Sequence, residues 1–298
     1  MKTQNHIVFG DQPARGGRTF RFLSRKQRQG FTLMELLVVV AVVLILAGLL
    51  LPALARSKAR ALSIMCRNNT KQLAFAWTLY SDDNSGRLAY NLPPGQNILS
   101  GATLPAPNWI NNVMNWELTP GNTNIDFVNQ SIIGDYASRN ANVYHCPSDT
   151  ALSPAQKAAG WVQRVRSYSM NEMVGDPGSF LQNGMNIFNP GYQQFLKESD
   201  FRDPSSVFVF LDEHPDSIED GFFANTATDL EWKHLPASYH NNGGSFAFAD
   251  GHAEIHRWQC GSTICPPVPG GAPLPITISP NDTTDFDWVT KHSSFSVR

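Results

Sequence analysis

The chain has 298 residues, 42% of them hydrophobic and 16% charged, which gives room for one or two domains with a proper core. Its net charge of −2 is unevenly spread: ahead of Phe31 stand Lys2, Arg15, Arg18, Arg21, Arg25, Lys26 and Arg28 against Asp11 alone, so that stretch is +6 and the remainder −8. An acidic remainder excludes general nucleic-acid binding through phosphate contacts. No nucleophile elbow, phosphate loop or paired catalytic acids mark an enzyme either.

The basic segment Arg25-Lys26-Gln27-Arg28-Gln29 is followed by Gly30-Phe31-Thr32-Leu33-Met34-Glu35. From Leu36 to Ala55 there is no charge, and only Pro52 interrupts a helix-compatible run. About 20 residues at about 1.5 Å each cross a ~30 Å hydrocarbon core, and this run is long enough. A basic flank ahead of a span holds that end in the cytoplasm and sends the rest across. A secretory signal with a small-residue cleavage site competes as an explanation, but the run is too long and the Gly30–Phe31 junction lies ahead of it. Glu35 is a carboxylate one turn inside the apolar segment, where a bare charge costs roughly 3 kcal/mol or more. An ordinary single-span anchor leaves that charge incidental. An α-amino group at Phe31, on the same face as Glu35 and meeting it between neighbouring subunits, would neutralise it and fix their axial register.

These residues together resemble the N-terminal processing signal of type IV prepilins and pseudopilins. The resemblance implies cleavage between Gly30 and Phe31 by a membrane-embedded prepilin peptidase, which also methylates the Phe31 amine. It makes Glu35 the assembly carboxylate and Pro52 the proline at which the helix bends or melts in the filament. It further implies an α+β, pilin-like fold: a long N-terminal helix packed on an antiparallel β-sheet head with long loops. The partners implied are the peptidase/methyltransferase, copies of this chain or other pseudopilins, an inner-membrane assembly platform and the bilayer.

Past Pro52 the helix is expected to continue to about Tyr80. Leu62, Met65, Cys66, Asn69, Leu73, Ala76, Trp77 and Tyr80 recur at three- and four-residue steps and mark one core-facing stripe. Ser81 to Gly86 is a cluster of turn formers that ends it. Residues 88–142 are rich in Asn, Pro and Gly and read as a loop-rich insertion on the helix. Val143 to Asp149 reads as a short strand ending in a turn. Ser153 caps a short helix with Pro154 at its first position. Strands are expected at Ser167–Asn171 and, most strongly, at Val207–Leu211, which emerges into Asp212-Glu213-His214. Ser245–Ala249 and His252–Trp258 flank Asp250-Gly251 and predict a hairpin with a two-residue primed turn. Residues 261–280 form a Pro/Gly loop, and Asn281 or Asp282 caps a last short helix ending near Lys291.

His240 stands ahead of Asp250-Gly251 with nine residues between. With Cys146-Pro147-Ser148-Asp149, Tyr168-Ser169-Met170-Asn171 and Asp212-Glu213, this spacing resembles the prepilin-processing-associated group of pseudopilin-like proteins with a His-x9-Asp-Gly domain. The resemblance carries the architecture and leaves the work of the head open.

All four cysteines, Cys66, Cys146, Cys260 and Cys265, follow the span and meet an oxidising compartment, where disulfides are favoured. Of three pairings, Cys66–Cys146 with Cys260–Cys265 is preferred because the second pair is close in sequence. A zinc site built from the four cysteines is disfavoured for want of a Cys-x-x-Cys pair. In the head, Asp212, Glu213, His214, His240, Asp250, His252 and His256 carry metal-ligand types. Asp212, Glu213, His240, Asp250 and His252 are the residues expected in a polar or structural divalent-metal cluster. No other cofactor and no catalysis are expected.

The resulting organisation is a removed basic leader over 1–30, a transmembrane and amphipathic spine over 31–80, a periplasmic or extracellular α+β head over 81–260, and a loop with a short helix over 261–298. The expected function is a filament subunit of a type II secretion or type IV pilus-like machine, single-pass in the inner membrane with its N-terminus cytoplasmic. The alternative is a minor or tip subunit, or a ligand- or metal-binding protein on a pilin-type anchor.

Overall fold

A computed structural model of the chain describes residues 30–93, 108–270 and 274–297. The leader expected over positions 1–29 lies outside the described residues. The molecule divides into two units after Pro52. The helix α1, Leu33–Asp83, supplies the helical residues described in the first unit and the opening element of the second.

Within the first unit α1 is almost wholly apolar, and its side chains are exposed. Leu33, Leu44, Leu49 and Leu50 are each exposed by about two thirds or more. It is the one helix among the described residues long and apolar enough to cross a membrane. Such a surface is stable in hydrocarbon and costly in water, at about 25 cal/mol per Å² of apolar area.

In the second unit the same helix becomes amphipathic. Cys66, Thr70, Leu73, Ala74, Ala76, Trp77 and Ser81 are buried at three- and four-residue steps. Leu73 and Trp77 anchor the expected stripe, whereas Met65 is 54% exposed. The helix ends at Asp83, and Ser85 and Gly86 take left-handed φ of 59° and 75° to turn the chain.

The remaining elements are α2 (Asp126–Asn129), α3 (Pro154–Ala158), β1 (Tyr168–Asn171), β2 (Leu181–Gln182), β3 (Met185–Asn186), β4 (Phe208–Asp212), β5 (Phe222–Phe223), β6 (Glu231–Trp232), β7 (Gly243–Phe248), β8 (Ala253–Arg257), β9 (Ile276–Thr277) and α4 (Thr284–Ser293). The central sheet has the order β5-β1-β4-β7-β8, and β2-β3 and β6-β9 form small ribbons. The sheet is mixed rather than purely antiparallel: β5 runs parallel to β1, and every other neighbour in it is antiparallel. The second half of α1 covers one face, where Cys66, Leu73 and Trp77 share a core with Tyr168, Met170, Val209 and Phe210. On the other face Phe208, Leu211, Phe246 and Phe248 pack with Phe286 and Val289 of α4. A register shift between Phe208 and Phe210 lets the adjacent Val209 and Phe210 both join the first core.

Two local expectations change. Ala141–Tyr144 is a 3-10 turn instead of a strand, because the Asn140 side chain accepts the Asn142 N–H and closes it. The β7–β8 hairpin has a three-residue loop rather than a primed two-residue turn. Phe248 N–H donates to the His252 carbonyl, Gly251 N–H donates to Phe248, and only Gly251 (φ 85°) is left-handed. The expected cap on α3 is present in full: Ser153 and Gln156 form a reciprocal capping box with Pro154 in the first turn.

Candidate functional site

Two places carry chemistry. The first is the start of α1. The helix begins at Leu33, so Glu35 is its third residue, and Thr32 precedes it. The Thr32 N–H and Oγ1 each donate to Glu35 Oε2 at 2.8 Å, and the Glu35 N–H donates to Thr32 Oγ1 at 3.2 Å. This is a capping box, so Thr-Leu-Met-Glu is a helix-start signal. Both bonds end on Oε2. Phe31 lies four residues before Glu35, one helical turn away, and is 75% exposed. Pro52 lies inside the helix at the boundary between the two units.

The second place is inside the head. Cys66, Cys146, Asp212 and His240 come from four separate segments, and one ligand-type atom of each lies within 4.8 Å of all the others. All four are buried. Cys66 sits on the core stripe of α1. Cys146 is held by a turn in which Asp149 N–H donates to its carbonyl (2.9 Å), and by Asn69 of α1 donating to the neighbouring His145 carbonyl (3.0 Å). Asp212 ends β4. His240 enters β7 through Asn241 and Asn242, both left-handed (φ 53° and 61°), with its N–H donating to the Gly243 carbonyl at 3.0 Å. Gly243 is required there: a Cβ would stand 2.5 Å from the His256 carbonyl oxygen of β8.

The contacts form a chain. Cys66 Sγ donates to Asp212 Oδ2 at 3.0 Å, Asp212 Oδ2 lies 3.4 Å from His240 Nε2, and His240 Nε2 lies 3.4 Å from Cys146 Sγ. Ser245 N–H donates to the same Oδ2 (3.0 Å), and the Tyr168 hydroxyl lies 3.1 Å from Cys66 Sγ. Asp212 Oδ1 is buried with no hydrogen-bond partner. Burial pushes the Cys66 thiol well above its ordinary value, and Cys146 and Asp212 push it in the same direction. Burial alone would lower His240, but hydrogen bonds to Asp212 and Cys146 outweigh it and carry the imidazole up to about 10.

The residues expected in one polar cluster therefore separate. Asp212 and His240 meet, and they meet at the two cysteines rather than at the other carboxylates. Glu213, the next residue along, points to the opposite side and pairs with His234 Nδ1 (2.8 Å) and the Ser217 hydroxyl (2.9 Å). Asp250 and His252 pair with each other at 2.6 Å at the hairpin loop, both substantially exposed. His214 approaches the Cys265 carbonyl (3.0 Å), and His256 stacks on Trp288 at 3.7 Å. The expected disulfides are not formed. All four cysteines are free thiols: Cys66 is directed at Asp212, Cys146 at His240, and Cys265 donates to the Ser262 carbonyl. The sequence sets Cys66 with Cys146, and Asp212 and His240 with Glu213, Asp250 and His252, as two separate groups. The available signal for joining them was that Cys66 lies on the buried stripe of the helix that covers the sheet.

Comparison with known proteins matches the family model of the prokaryotic N-terminal methylation motif to residues 25–51. No curated protein and no solved structure matches the chain.

Proposed function

We propose that this chain is a pseudopilin-like structural subunit. A prepilin peptidase cuts it after Gly30 and methylates Phe31, and the product assembles with copies of itself or other pseudopilins in a type II secretion or type IV pilus-like filament. The observation that carries the reading is the methylation motif over 25–51 with Glu35 as the lone carboxylate at the start of an exposed apolar helix. The prepilin signal and that helix fit a single-pass membrane anchor. The basic flank puts the N-terminus in the cytoplasm and the head outside the membrane on its far side.

The geometry supports a division of labour at Glu35. Thr32 binds Oε2 and starts the helix, while Oε1 is left for the methylated amine of a neighbouring subunit. In hydrocarbon that pairing offsets the roughly 3 kcal/mol or more of a bare charge, which makes association and insertion interdependent. The head serves as the protein's folded structural part, and catalysis has no role in this reading.

Mass spectrometry of chains extracted from membranes tests it. The mature polypeptide is expected to begin with N-methylated Phe31, and a bulky residue at position 30 (Gly30→Leu) is expected to leave only the full-length form. A mature chain beginning elsewhere contradicts the proposal.

A further inference from the structure

We propose that Cys66, Cys146, Asp212 and His240 form a closed, four-ligand zinc site that fastens the second half of α1 to the central sheet. This goes beyond the filament reading and does not depend on it. Two sulfurs, one imidazole nitrogen and one carboxylate oxygen are the donor types zinc takes, and four protein ligands are the number a structural site uses. Donors about 2.0–2.3 Å from a central zinc in a tetrahedron stand roughly 3.3–3.8 Å from one another. Here neighbouring donors are 3.0, 3.4 and 3.4 Å apart, and all four atoms fall within 4.8 Å of one another. The set is already drawn together around one point.

Three further observations favour a metal over a disulfide or a simple polar cluster. A Cys66–Cys146 bond would use the two sulfurs and take from Asp212 and His240 the thiol contacts that both now make. Asp212 Oδ1 has no hydrogen-bond partner while fully buried, an arrangement that is costly unless charge nearby compensates. The surrounding donors also suit a thiolate-rich site: the Tyr168 hydroxyl reaches Cys66 Sγ, and Ser245 N–H holds Oδ2, as outer-shell groups do around bound zinc. Ser245 is fixed in turn by Thr70 of α1 at 2.8 Å.

The charge balance is explicit. Binding needs both thiols deprotonated and the imidazole neutral, and the protons displaced go to solvent. Zinc then faces two thiolates, one carboxylate and a neutral imidazole, and no redox step is involved. With four protein ligands and full burial the site has no open position, so zinc here is structural. The ligands come from α1, the segment before α3, β4 and the entry to β7, so one ion ties the covering helix to three parts of the head. None lies in a Cys-x-x-Cys pair.

The test uses the full chain purified in detergent without chelators. Metal analysis is expected to give about one zinc per chain. After removal of zinc, added Co²⁺ is expected to produce visible bands of a tetrahedral site with thiolate-to-cobalt charge transfer. Cys146→Ser and His240→Ala are expected to lower zinc content at least tenfold, and Cys260→Ser to leave it unchanged. A strong chelator is expected to lower the melting temperature of the wild-type head and leave that of Cys146→Ser unmoved. Should the variants fail to fold, the cobalt spectrum of the wild-type chain still decides. Metal-free protein that shows no charge-transfer band with Co²⁺, or that carries a Cys66–Cys146 disulfide on peptide mapping, overturns the proposal.

Discussion

The two halves of α1 are one continuous helix written for two solvents. Between Leu33 and Leu51 nearly every side chain is large, apolar and exposed; between Cys66 and Ser81 the buried positions recur every three or four residues and include Thr70 and Ser81. The first half is exposed along almost its whole length, so its sequence needs only to be apolar and helical. The second half packs on Phe210, Met170 and Tyr168, so its shape and polar atoms are specified position by position. Lipid accepts substitutions by class, and a packed core accepts them by shape.

The largest expected effect is on the packed half. Trp77→Ala removes a side chain that is 1% exposed and set edge-on to Phe201 at 6.2 Å, and is expected to cost about 3–5 kcal/mol in chemical denaturation of the head. Cleavage after Gly30 should be unchanged. A comparable loss of cleavage would break the distinction between the halves.

Next comes a charge in the other half. Val43→Arg is expected to cost roughly 2.5–3.5 kcal/mol of membrane insertion, read as the fraction of chains recovered with membranes. The denaturation midpoint of the head should not move, whereas Val43→Leu should be silent in both assays.

A third expectation concerns pH, to which only the head should respond. Burial alone would lower His234, but the Glu213 carboxylate outweighs it and raises the imidazole to about 9. The folded value lies above the ordinary one, so the stabilisation is complete below about 6.5 and is lost as pH rises through about 9. Denaturation midpoints should therefore fall between those limits, by an amount on the order of 1–2 kcal/mol, and Glu213→Gln should flatten the profile. A wild-type profile that stays level over this window would contradict the pairing.

The smallest effect is Thr32→Ala, which removes half of the capping box and is expected to cost about 1 kcal/mol of helix start. Faster amide exchange confined to the first turn of α1 would show it, with the head unaffected.

How far the sequence could be read follows the same division. The apolar half of α1, its end beside Gly86, the capped α3, and β1, β4, β7 and β8 were all legible, because periodicity and turn chemistry act over a few residues. The hairpin loop was misread because Asp-Gly suits both a primed turn and a left-handed glycine after a common turn, and cross-strand register decides between them. The parallel β5 was missed because Phe222-Phe223 is too short for a period. At the candidate site, Asp212 and His240 were singled out, yet Glu213, Asp250 and His252 were grouped with them and the cysteines were not. A strand alternates its faces, so Asp212 and Glu213 had to part, and which of the two would meet Cys66 depended on which face α1 covered. That fact is tertiary.

The bonds that cross from α1 to the sheet also set how the head bears load. Thr70 reaches Ser245 on β7, Cys66 reaches Tyr168 on β1 and Asp212 on β4, and these are the three interior strands. Traction applied through the second half of α1 thus enters the sheet at its middle strands rather than at a margin, across several links at once. Such an attachment spreads a load over three strands.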